Sequence, residues 1–158
     1  MASTTRGPRV GLRPAAIQEH GQLADIAREA YGKYLGLVDE TPAPLLLDYR
    51  EVAASGRCHV AASAEGILGM VTVETADPYL VLRNLAVRPS AQGQGIGRNL
   101  VALVEEMARS AGMRGVRLWT RAEMTDNIAF YQGLQYVITH SEQNEHAHRV
   151  FLCKDLKI

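Results

Sequence analysis

The chain has 158 residues, enough for one domain of ordinary size and too few for two independent cores. Its 17 basic and 17 acidic side chains cancel, which excludes the strongly basic proteins that bind nucleic acid or anionic membranes through bulk charge. Apolar residues make up 47% and charged residues 22%, so the chain reads as globular, not disordered.

Residues 1–8 read as a loose polar tail, and residues 9–158 as a single domain. That start has no apolar signal core, and the longest apolar runs, Pro44 to Leu47 and Tyr79 to Leu82, fall far short of the ~20 residues of a membrane span. Cys58 and Cys153 form no disulfide framework, so the expectation is two reduced, buried thiols in a cytoplasmic protein.

Val10 to Pro14 predicts a short strand stopped by proline. Leu23, Ile26, Ala27, Ala30, Tyr31 and Tyr34 share one face at helical spacing, and Gly36 ends that helix. A second helix is expected over residues 42–52, opening on Pro42 and closed by Gly56. The period then changes. Residues 59–63 and 67–73 flank Ala64-Glu65-Gly66 as a hairpin, and a third strand follows from Tyr79 to Val87. The glycine-rich run Gln92-Gly93-Gln94-Gly95-Ile96-Gly97 opens the clearest helix, with the stripe Ile96, Leu100, Leu103, Val104, Met107 and Ala111, and Gly112 at its end. Residues 116–120 read as a buried strand, residues 126–133 as a short helix, and residues 136–140 and 149–153 as closing strands. The order β-α-α-β-β-β-α-β-α-β-β predicts an α/β fold with a mixed sheet and helices on both faces.

A strand that runs into a glycine-rich turn and then a helix suits an anion. The first helical amides have no intrahelical partners, and glycine removes the Cβ atoms that would hold an anion off. A dinucleotide fingerprint starting at Gly93 would need glycine at 98, where Arg98 stands. A phosphate-binding P-loop would need Lys-Ser or Lys-Thr after Gly97, where Arg98-Asn99 stand.

The segment fits Gln/Arg-x-x-Gly-x-Gly/Ala instead. Together with the preceding strand Leu82-Arg83-Asn84-Leu85-Ala86-Val87-Arg88-Pro89, it resembles the GNAT superfamily of acyl-CoA-dependent N-acetyltransferases. The resemblance implies acetyl-CoA as co-substrate. It implies that Gln92, Gly93, Gln94, Gly95, Ile96, Gly97 and Arg98 hold the CoA pyrophosphate. It also implies that the strand splays near Leu85, Ala86 and Val87, whose backbone pairs with the pantetheine arm. A second block, Asn127 to Tyr136, is similar to the family's Asn-x-x-x-Tyr-x-x-x-Gly-Phe/Tyr segment. Asn127 and Tyr131 lie four apart on one helix face. By resemblance, Asn127 binds the cofactor and Tyr131 faces the CoA sulfur. Gln135 stands where the family has glycine, which questions the turn after this helix.

The implied chemistry sets demands. A lysine-like amine, with pKa ~10.4, is neutral in only about one molecule in 2,500 at pH 7, a penalty of ~4.6 kcal/mol. Glu74, at a strand end, is a candidate base acting through water, and a backbone N–H near Leu85 to Val87 a candidate oxyanion donor. Transfer of a proton from tyrosine to a thiolate is uphill by ~1.5 units in model values, so Tyr131 is expected to hydrogen-bond the departing sulfur while the ammonium product returns the proton. Asp48, Tyr49, Tyr79 and Asn84 are candidates for the acceptor site, and Arg88 and Arg98 for phosphates. His146 and His148 would share a strand face, yet no Cys or carboxylate spacing supports a metal, so no metal site is expected.

The expected activity is transfer of acetyl from acetyl-CoA to a primary amine of a small molecule, amino acid or peptide, by direct attack in a ternary complex. A non-catalytic acyl-CoA-binding module is the alternative, and a nucleotide-binding protein a third reading. Neither nucleic acid nor membrane is an expected partner, and a homodimer is compatible with the resemblance.

Overall fold

Antiparallel pairs build most of the sheet, and one parallel pair completes it. The computed structural model describes residues 9–36 and 41–156; the expected tail, residues 1–8, lies outside the described residues. The strands are β1 (Gly11–Pro14), β2 (Cys58–Ser63), β3 (Gly66–Ala76), β4 (Tyr79–Val87), β5 (Gly115–Arg121), β6 (Val137–Gln143) and β7 (His148–Asp155). They form one sheet in the order β1-β2-β3-β4-β5-β7-β6, in which β4 and β5 are parallel and the other neighbours antiparallel. The helices are α1 (His20–Tyr31), α2 (Tyr49–Ala54), α3 (Ile96–Ser110) and α4 (Thr125–Gly133), and the element order is the expected one.

Each face of the sheet carries its own core. Leu100, Val101, Val104 and Ala108 of α3 pack on Val71, Val73, Leu80, Leu82 and Val116. Leu23, Ile26, Ala27 and Tyr31 of α1 pack on Val60, Ile67, Met70 and Ala86 of the opposite face. Among the described residues, no helix is long and apolar enough to cross a membrane. Cys58 and Cys153 are both buried and free, and burial pushes the Cys58 thiol up to about 12.

Three local expectations are corrected. Residues 42–52 are not one helix. A short 3₁₀ turn, Ala43–Leu45, precedes α2, and the Asp48 side chain caps α2 by accepting the Arg50 amide at 3.0 Å. Pro44 inside the expected helix and a strong N-cap residue at 48 both favour the break. On α3, Ala111 is exposed, while Val101 and Ala108 are buried with the stripe. His146 lies in the β6–β7 loop, so it shares no strand face with His148.

One irregularity opens the sheet. Thr72 pairs with Asn84, but Val73 pairs with Leu82, so Arg83 is an extra residue in β4. An extra residue reverses the alternation of side chains and bends the strand. Before the bulge, Leu80 and Leu82 join the α3 core; after it, Ala86 joins the α1 core. Just before the bulge β4 also leaves β5: their pairing runs from Tyr79↔Gly115 only to Val81↔Arg117. The two strands diverge as a wedge.

Candidate active site

The wedge and its surroundings form two neighbouring cavities. One, of about 650 Å³, is lined by Leu85, Ala86, Val87, all of Gln92 to Arg98, Asp126, Asn127 and Phe130. The other, of about 440 Å³, is lined among others by Glu74, Asn84, Thr120, Asn127 and Tyr131. Tyr31, Leu85 and Asn127 line both, so they stand at the junction.

The first cavity owes its floor to glycine. Gly93 and Gly95 both adopt φ +82°, a left-handed conformation costly for residues bearing Cβ. Gly95 is the N-cap of α3, and the first helical bond closes there, Asn99 N–H to the Gly95 carbonyl at 3.0 Å. The amides from Gly93 to Arg98 donate to no described residue. They form a run of unspent donors at the positive end of a 15-residue helix. Gly97 serves a different purpose. A Cβ there would meet Phe130 at 3.3 Å, so this glycine lets α4 close down on the loop. The Gln92 side chain faces back, its Nε2 donating to the Val87 carbonyl at 3.2 Å.

The wall opposite the loop belongs to α4. Asp126 ties it to the 3₁₀ turn that follows α1, Gly32–Tyr34, accepting from Tyr34 and from Lys33, each at 2.6 Å. Burial opposes ionisation of Asp126, yet these two hydrogen bonds outweigh it and hold the carboxyl below its usual range. Asn127 does not cap the helix; Met124 occupies the N-cap position. The Asn127 side chain instead donates to Thr120 Oγ1 at 3.4 Å.

Tyr131 lines only the second cavity, one helical turn from Asn127. It is 3% exposed, and its ring meets Phe130 and Tyr136 edge-on at 5.1 and 5.7 Å. Among the described residues its hydroxyl has no hydrogen-bond partner, although every one of these contacts fixes the ring. Burial pushes its pKa well above the ordinary tyrosine value, with the nearby Tyr31 adding to the effect.

The turn that follows holds Tyr131 in place and carries the departure seen at Gln135. Tyr136 N–H bonds the Tyr131 carbonyl and Gln135 N–H bonds that of Gln132, each at 3.0 Å. This is the Schellman ending, and it requires a left-handed residue between them. Gln135 supplies it at φ +74°, the single non-glycine residue with positive φ among the described residues.

Other expected residues separate cleanly. Asn84 lines the second cavity only, accepting from Tyr31 Oη at 3.1 Å and donating to Tyr49 Oη at 3.4 Å. Tyr31 Oη also donates to the Leu85 carbonyl at 2.9 Å, bracing the strand where it splays. Glu74 reaches the rim of the second cavity, half exposed and 3.4 Å from Arg83. Tyr79 is not at the site; it bonds Asp155 at 2.9 Å at the far end of β4. Arg88 does not face the glycine loop either, because Glu29 holds it at 2.7 Å and the Ile67 carbonyl at 2.8 Å. Arg98 lines the loop cavity. Tyr31, Thr120, Arg121 and Arg149, which the sequence did not single out, also line the cavities.

Residues 22–136 match the model of the acetyltransferase (GNAT) family. An IAA acetyltransferase of Azospirillum brasilense is 29% identical over 107 residues, spanning 66% of this chain and 70% of that protein. Among solved structures, the PaiA N-acetyltransferase of Thermoplasma acidophilum, in complex with coenzyme A, aligns with a TM-score of 0.77 at 17% identity, covering 94% of this chain and 99% of that one. The ribosomal-protein-S18-alanine N-acetyltransferase of Escherichia coli aligns with a TM-score of 0.75 at 16% identity, covering 95% and 96%.

Proposed function

This chain belongs to the acetyltransferase (GNAT) family, and from that premise we propose that it moves acetyl from acetyl-CoA to a primary amine by direct attack in a ternary complex. The observation that carries this reading is the meeting of two unsatisfied backbone surfaces in one cavity. The open edge of β4 past Val81 adjoins the unspent amides of Gly93 to Arg98. A dianion suits the amides, and a peptide-like arm suits the edge. Coenzyme A has both, in series.

On this reading Gln92, Gly93, Gln94, Gly95, Ile96, Gly97 and Arg98 take the pyrophosphate of acetyl-CoA. Leu85, Ala86 and Val87 pair with pantetheine. Asn127, at the junction, orients the arm so that the thioester enters the second cavity. There the acceptor nitrogen attacks the thioester carbon, a backbone N–H of the β4 edge receives the oxyanion, and the carbon–sulfur bond breaks. Tyr131 donates a hydrogen bond to the departing sulfur. Its raised pKa keeps it neutral, so the proton that ends on the thiol comes from the ammonium product. Glu74, exposed at the rim and shared with Arg83, is the base only through water. Residues 9–158 act as one unit, on a small amine or a peptide end.

A thermal-shift comparison of acetyl-CoA, CoA, ATP and NAD tests the proposal. A ligand at 100 times its Kd adds ~2.7 kcal/mol to stability, and the two CoA species should do so. Stabilisation by ATP or NAD in preference to CoA would overturn it. A panel of amines, read by thiol release, then tests transfer. Binding of acetyl-CoA with no amine acetylated would leave an acyl-CoA-binding module.

A further inference from the structure

The stripe of α3 that enters the core contains a charge that the transfer chemistry does not use. Val101, Val104, Glu105 and Ala108 follow one another at helical spacing, and all four are buried. Glu105 is the one buried carboxylate among the described residues. Both of its oxygens are engaged. Oε2 accepts from the Tyr136 hydroxyl at 3.0 Å, and Oε1 accepts from Lys154 Nζ of β7 at 3.0 Å. Lys154 Nζ also lies 5.7 Å from the centre of the Tyr136 ring. Burial, with Glu105 adding to it, pushes the Tyr136 pKa up, so this hydroxyl keeps its proton and stays a donor. A buried ion pair contributes little beyond what a well-packed apolar residue of similar size would, so stability does not account for a carboxylate in this stripe. Position does. Tyr136 is 2% exposed and grips Tyr131 twice: its N–H bonds the Tyr131 carbonyl at 3.0 Å, and its ring meets the Tyr131 ring edge-on at 5.7 Å. The Tyr131 hydroxyl has no described partner, so contacts to its ring aim it.

Resting on the acetyl-transfer reading of Tyr131, we propose that Glu105, with Lys154, pins the Tyr136 ring and through it sets the direction of the Tyr131 hydroxyl. Glu105, Lys154 and Tyr136 are positioning residues, and none of them lines either cavity. The contacts run from α3 through Tyr136 to α4. The helix whose first amides take the pyrophosphate therefore also orients the group that meets the sulfur. Without the Glu105 hydrogen bond, the Tyr136 ring loses the anchor that fixes its plane, and Tyr131 loses the surface it rests on.

Two measurements on the full chain test the proposal. In protein labelled with 3-fluorotyrosine, the fluorine line of Tyr131 is assigned by its loss in Tyr131→Phe. It should shift or broaden in Tyr136→Phe, with CoA affinity unchanged. In thiol release with the fastest amine of the panel, Tyr136→Phe should lower kcat ~10-fold or more and leave KM for acetyl-CoA unchanged, as a misaimed group does. Adding Tyr136→Phe to Tyr131→Phe should cost nothing further, because the first acts through the second. Glu105→Gln keeps an oxygen for the Tyr136 hydroxyl and should retain most of kcat. Glu105→Met combined with Tyr136→Phe replaces the network by packing. It should melt at or above the native temperature and still show the low kcat and the displaced line, and it carries the test if Tyr136→Phe alone does not fold. A native kcat or an unmoved line in these variants, losses that multiply in the double variant, or a loss carried by KM would each overturn the proposal. A native chain that releases no thiol with any amine would instead sink the acetyl-transfer reading. Transfer that proceeds undiminished in the variants would leave that reading standing and remove only this one.

Discussion

Replacing Gln135 by glycine should make this protein more stable, against the usual direction for glycine. The residue closes the Schellman turn after α4 at φ +74°. A left-handed conformation costs a residue with Cβ roughly 1–2 kcal/mol. Glycine relieves that strain but adds about 0.5–1 kcal/mol of backbone freedom to the unfolded chain. The balance is a gain of about 0.5–1 kcal/mol, or roughly 1–4 °C in Tm for a chain of this length. Gln135→Ala is the control, because alanine keeps the Cβ and the strain. Thermal melts followed by circular dichroism, with urea titrations alongside, read the difference between the glycine and alanine variants. The hydrogen bonds of Gln135 and Tyr136 to the helix end use backbone atoms only, so both variants keep them and the seat of Tyr131. A glycine variant no more stable than the alanine variant would refute the strain argument.

Tyr131→Phe should lower kcat by about 100-fold or more while leaving acetyl-CoA affinity and Tm nearly unchanged, since the hydroxyl has no described protein partner to lose; a melt beside a rapid thiol-release assay checks both. Gly95→Ala forces a Cβ into φ +82°, so Tm should fall by roughly 2–8 °C, for ~1–2 kcal/mol of strain, and calorimetry should show weaker binding of acetyl-CoA. The folded-state pKa of Asp126 lies below its unfolded value, so the stability it contributes is present above the unfolded value, near ~4, and is lost as pH falls through the folded one. Melts from pH 6 to pH 2 should therefore show a shallower acid loss for Asp126→Asn than for the native chain, and parallel curves would refute the linkage.

What could be read from the residues was what local chemistry dictates. Gly93, Gly95 and Gly97 announced the loop because few other residues fit a left-handed N-cap or a contact as close as that to Phe130. Asn127 and Tyr131 announced a shared face through their spacing. The strand Tyr79–Val87 was legible from end to end, yet its decisive feature was not. The bulge at Arg83 depends on the register with β3, and no pattern within the strand marks it. The same holds for Arg121 and Arg149, 28 positions apart in sequence and opposite each other only once β5 and β7 pair. Arg88 looked like a phosphate ligand because guanidinium suits phosphate; Glu29, brought in by α1, decides otherwise. Residues 42–52 misled because their apolar spacing is helical while Pro44 and Asp48 divide them.

Amide NMR of the 158-residue chain, titrated with acetyl-CoA, bears most directly on the central claim. The backbone N–H signals of Gly93 to Arg98 should move together and saturate at one equivalent, with Leu85 to Val87 following. If those signals hold still while acetyl-CoA binds elsewhere or not at all, the cradle at the start of α3 does not hold the diphosphate.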